Sequence, residues 1–89
     1  EPGIEAAVDR LRSYWESHTI GMALRYANGV LAYGLDSDRD GSVSRSVGLL
    51  RSWLDTNSDA PAQLRRIVIE HLDAFERDER VQRRWKQDQ

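Results

Sequence analysis

The sequence predicts an all-α fold, a compact four-helix bundle with a long C-terminal helix, and three observations carry that expectation. Apolar residues recur at helical spacing through most of the 89 residues. Clusters of Asp, Ser, Asn and Gly divide those stretches into four. A content of 39% hydrophobic and 31% charged residues suits a soluble packed domain and is too apolar for a disordered tail. At this length there is room for one domain, spanning residues 1–89, with a thin stability margin.

The first helix is read over Ile4–Ser17. Ile4, Ala7, Val8, Leu11, Tyr14 and Trp15 repeat at i, i+3, i+4, i+7, with Pro2 and Gly3 just before them. Residues 19–34 carry two readings. Ile20, Ala23, Leu24, Ala27, Val30 and Leu31 form a helical stripe, with Ser17 or Thr19 as N-cap. Asn28-Gly29, lying between Met22-Leu24-Tyr26 and Val30-Leu31-Tyr33, also signals a hairpin with a type I′ turn. A lone two-stranded hairpin is marginal in water, which favours the helix. Gly21 and Gly29 then cost about 1 kcal/mol each relative to alanine and imply close helix packing or a break near Asn28.

Residues 35–42 read as a loop, and a short helix follows over 44–55 with Val47, Leu50, Trp53 and Leu54 inward. Thr56-Asn57-Ser58-Asp59 breaks it, and Asp59 is a suitable N-cap for the last helix, with Pro61 in its first turn. That helix is read over 60–86. Its first half is apolar through Leu64, Ile67, Val68, Leu72 and Phe75, whereas its second half keeps only Val81 and Trp85. Asp73–Arg77, Glu76–Arg80 and Glu79–Arg83 form acid-before-base pairs worth about 0.3–0.5 kcal/mol each. A rod of about 40 Å overhangs a domain whose radius of gyration is about 12 Å, so Val81 and Trp85 are expected on an exposed end.

Thirteen basic and fifteen acidic residues leave a formal charge of −2, which gives no electrostatic reason for nucleic acid or an anionic membrane as the main partner. With no cysteine there is no disulfide framework, thiolate nucleophile or cysteine zinc site. No apolar run is long enough to span a membrane, and no signal peptide is visible. The opening Glu1-Pro2-Gly3 and the polar close read as a domain excised from a larger protein. His18 and His71 stand in no HExxH or HxxxH setting, and Ser42 to Ser46 form no GxSxG elbow. The expectation is a protein without catalytic activity.

One segment carries specific chemistry. Asp36, Asp38 and Asp40 alternate, Gly41 follows at the sixth position, and Ser42 and Ser44 fall at the seventh and ninth. Three carboxylates at alternate positions suit a hard cation that takes six to eight oxygens. With Ala27, Val30, Leu31 and Leu35 ahead of it, the stretch around residues 27–54 resembles a single EF-hand. The resemblance implies an EF-hand-like turn between the second and third helices and a structural calcium ion on Asp36, Asp38, Asp40, Ser42 and Ser44. It departs from the family at the twelfth position, where Val47 replaces the bidentate acid and weakens binding toward roughly 10⁻⁴–10⁻³ M. The same residues also read as a solvated Asp-Gly turn in which Asp40 or Ser42 caps the next helix.

The function expected from these features is a helical protein–protein interaction module with a weak structural calcium loop. Its partner is another protein or a second copy, docked through Arg77, Val81, Arg84 and Trp85. The alternative is a nucleic-acid-binding accessory domain using the arginines of the last helix.

Overall fold

Ile4, Ala7, Val8 and Leu11 turn one face of the first helix into the core, and α1 spans Ile4–Ser17 as the spacing predicts. The computed structural model describes residues 3–38 and 43–88, and among these it contains five helices and no strand. The all-helical expectation holds, but the count of four does not.

The alternatives for residues 19–34 resolve as helix. α2 runs from Ile20 to Asp38 without a break, because Ala23, Ala27, Leu31 and Leu35 bury a continuous stripe that an alternating strand pattern cannot offer. Thr19 begins it, its Oγ1 accepting the Met22 N–H at 3.3 Å. Asn28 is held within the helix, its Oδ1 3.0 Å from Nε2 of His71. Gly21 and Gly29 mark neither a break nor a close contact, since a Cβ at either would meet nothing within 4 Å. The close approach falls instead at Gly34, against the start of α1.

α2 also extends beyond its expected end, so residues 35–38 are helical rather than loop. Leu35 is anchored in the core, and Ser37 Oγ donates to the Tyr33 carbonyl at 3.0 Å. α3 covers Val43–Thr56 and buries Val43, Ser46, Val47, Leu50 and Trp53. Asn57 then closes the chain on itself, its side-chain amide donating to the Trp53 carbonyl at 2.9 Å.

α4 spans Ala62–Arg77, with Leu64, Val68, Leu72 and Phe75 inward. Asp59 does not cap it. Its carboxylate turns to Arg12 of α1, whose two terminal nitrogens donate to it at 3.1 and 2.7 Å. Pro61 occupies the cap position, where a missing N–H does no harm.

The last helix is two helices. At Asp78 the backbone becomes extended, with ψ at 131°, and α5 begins at Glu79 and runs to Asp88. Asp78 Oδ1 accepts the N–H groups of Arg80 at 2.8 Å and Val81 at 3.4 Å, which is an N-cap inside the stretch that reads as one rod. α5 folds back on α3 and α4, so Val81 is only 2% exposed and Trp85 packs against the core. Burying a valine contributes about 1.5–3 kcal/mol, several times the ~0.3–0.5 kcal/mol of Glu76–Arg80, the one pair that the break separates. The expected pairs are rearranged accordingly: Glu76 binds Arg51 at 2.8 Å, and Arg77 Nε donates to the Asp73 carbonyl at 3.3 Å.

α1 packs most extensively on α2, which lies between α1 and α4. Tyr14 sits in the middle of a three-ring stack, 3.9 Å from the His18 ring and 4.0 Å from Tyr26, with near-parallel planes. Trp15 meets Trp53 edge to face at 6.1 Å, and Arg12 lies over Trp15 at 4.8 Å. No described helix is long and apolar enough to cross a membrane.

Candidate functional site

The residues proposed for calcium are placed by the ends of α2 and α3. Asp36 and Asp38 stand in the last turn of α2 and Ser44 in the first turn of α3, whereas Asp40 and Ser42 lie outside the described residues. Two positions apart on a helix is about 200° around its axis, so the helix does not converge Asp36 and Asp38 on one point. Asp38 has a partner within the chain: the fully buried Ser46 donates its hydroxyl to Asp38 Oδ2 at 3.0 Å. The described residues bring together no group of three His, Asp or Glu side chains suited to a metal.

The docking residues expected on the last helix divide by its break. Arg77 ends α4 and is exposed, Arg84 is exposed on α5, Val81 is buried, and Trp85 is half-buried. Val81, Trp85 and Val47 form apolar walls of a cleft of about 380 Å³, with Glu76, Gln82 and Lys86 completing it. Glu76 is neutralised by Arg51. The side chains of Lys86, and of Arg80 and Arg83 on the outer side of α5, have no hydrogen bond or ion pair among the described residues.

A second cleft lies between α1 and α2 and was not legible as a site in the sequence. Arg10, Arg25, Tyr26, Gly29, Val30 and Tyr33 line about 360 Å³. The signal for it is a second stripe on α2. Met22, Tyr26, Gly29 and Tyr33 recur at i, i+4, i+7, i+11, away from the buried Ala23–Leu31 face, and Met22 and Tyr33 are each 50% exposed.

No protein family, curated protein or solved structure matches this chain.

The two histidines are occupied. His18 Nδ1 lies 3.1 Å from the Tyr14 carbonyl and 2.9 Å from Ser17 Oγ. The Ser17 hydroxyl also lies 2.8 Å from the Ser13 carbonyl, to which it donates. His71 is half-buried against α2, and burial holds its pKa below the ordinary 6.5, with Glu70 acting weakly the other way. Arg12 lowers the Asp59 pKa, chiefly by direct hydrogen bonding. The His71–Asn28 contact ties α4 to α2, and the Arg12–Asp59 pair ties α1 to the segment ahead of α4.

Proposed function

We propose that this chain is a non-catalytic helical interaction module that docks an acidic segment of a partner protein along α5. The observation that carries the reading is the apolar cleft walled by Val47, Val81 and Trp85 and edged by Lys86, on a helix whose outer side carries the exposed Arg80 and Arg83. An apolar anchor seated beside Trp85 gains burial, a carboxylate next to it meets the Lys86 ammonium, and further acidic residues are drawn by the net positive charge of α5. α5 carries four basic residues, Arg80, Arg83, Arg84 and Lys86, against two acidic ones, Glu79 and Asp88, so the complementarity is with an acidic segment.

Selection of a phage-displayed library of random short peptides against the intact chain tests this. The expected consensus is a Leu, Phe or Met anchor flanked by Asp or Glu, with affinity falling about tenfold in Trp85→Ala and in Lys86→Glu. Absence of a consensus, or peptides that bind both variants as well as the parent, overturns the reading. So does preferential binding of a labelled oligonucleotide with a steep salt dependence, which assigns α5 to phosphate contacts instead.

A further inference from the structure

The geometry points to a small-molecule site in the α1–α2 cleft, for a ligand with a planar apolar body and one anionic group. Four observations meet there. Arg10 from α1 and Arg25 from α2 both line the cleft, and neither guanidinium has a hydrogen bond or ion pair among the described residues. No carboxylate lines it with them, so their charge is not neutralised within the cleft. An anionic group between two guanidinium forks is the arrangement in which arginine forms its strongest, paired hydrogen bonds.

Tyr26, Val30 and Tyr33 supply the apolar part. Tyr26 is held in orientation by its stack on Tyr14, 4.0 Å away and 5° from parallel. A rigid aromatic wall of this kind favours a flat ring system over a flexible chain. Gly29 supplies the space. It lies mid-helix between Tyr26 and Tyr33, and a Cβ there would meet nothing within 4 Å, so its lack of a side chain serves no contact inside the molecule and leaves the cleft open. A volume of about 360 Å³ lies within the range of small-ligand sites.

This cleft is separate from the α5 cleft of the proposed docking surface, sharing no lining residue with it. Two natural sources present the ligand chemistry: aryl carboxylates and nucleoside monophosphates. The site is defined by what they share.

Titration of ¹⁵N-labelled protein with 2-naphthoate and, separately, with adenosine monophosphate tests the site by amide chemical shifts. Saturable shifts confined to Arg10, Arg25, Tyr26, Gly29 and Val30 are expected with at least one probe below about 5 mM, and the better probe identifies the source. The neutral counterparts, 2-naphthylmethanol and adenosine, are expected to bind about tenfold more weakly, as is the better probe to Arg25→Gln. Gly29→Leu fills the cleft while improving helix propensity, so it is expected to abolish binding without lowering Tm. Unsaturated or scattered shifts, equal binding of the neutral probes, or undiminished binding to Gly29→Leu overturns the proposal.

Discussion

Gly34 of α2 lies directly under the first residue of α1: a Cβ on Gly34 would stand 3.1 Å from Ile4 Cα and 3.3 Å from Ile4 N. Ile4 is itself 2% exposed and begins a helix, so giving way by even a few tenths of an ångström shifts the start of α1 against its packed neighbours. The closest approach of α1 to α2 is therefore made where α2 has only a hydrogen atom, at position 34.

The glycines of α2 should respond to substitution with opposite signs. Gly34→Ala gains helix propensity but forces a contact that costs about 1–3 kcal/mol, and it should destabilise by roughly 1 kcal/mol net. Gly29→Ala meets no neighbour and should stabilise by about 0.5–1 kcal/mol. Urea unfolding of the two variants measures both. Equal shifts of the same sign would show that the crossing is not limited by Gly34.

Asp78 should govern the position of α5. Asp78→Ala removes the acceptor for the Arg80 and Val81 N–H groups and should cost about 0.5–2 kcal/mol. Trp85 should become more exposed with it, which acrylamide quenching reports in a Trp15→Phe background. Val81→Ala should cost roughly 2 kcal/mol by emptying a buried site. If both changes were neutral, α5 would not be docked on the core.

Acid should act in two windows. The folded His71 pKa is lowered by burial, so the unfolded chain takes up that proton first. The corresponding stability is in place above pH 6.5 and is lost as the pH falls through the folded value. Glu70 on its own helix opposes the shift without reversing it, and Asp36 and Asp78 are the acidic groups that share the cleft with His71. Asp59 is lowered from 3.8, first by its hydrogen bond from Arg12, so its contribution is present above pH 3.8 and lost below as it protonates. Urea midpoints across this range should show the upper decline removed by His71→Gln and the lower one by Asp59→Asn. An unchanged profile in either variant assigns that decline to another group.

Asp38 should act through Ser46. Thermal melts of Asp38→Ala are expected to show the same loss of Tm in EDTA and in millimolar calcium, because the side chain lost is a hydrogen-bond acceptor for a buried hydroxyl. A calcium-selective rise in the parent protein that disappears in Asp38→Ala would instead make residues 36–44 a metal site, contributing about 2.7 kcal/mol at a hundredfold excess over its dissociation constant.

Much of the fold was legible because helices announce themselves locally. The 3.6-residue spacing of Ile4, Ala7, Val8 and Leu11, and of Leu64, Val68, Leu72 and Phe75, requires no knowledge of what lies opposite. Residues 19–34 were two-valued because Asn28-Gly29 favours a turn by its own chemistry. The helix is decided by Ala27 and Leu31 being buried between α1 and α4. Asp59 shows the same limit. It is a good cap by type, but a guanidinium from a helix 47 residues earlier in the chain competes for it.

The α5 region shows why candidate sites were harder to read than helices. Val81 and Trp85 are too sparse to form a stripe, and a rod with ion pairs at every turn was the locally consistent reading. Whether Asp78 caps a new helix or continues an old one depends on whether a surface exists to receive Val81, and α3 provides it. The α1–α2 cleft is likewise a product of two helices, since Arg10 and Arg25 come from different helices and line one cleft only when α1 folds on α2. By itself, then, the sequence determined that α1, α3 and α4 are helical and most of the residues they bury, because those depend on periodicity. Only the tertiary structure decided where the helices break and which charges are left unpaired, because those depend on what each surface finds to pack against.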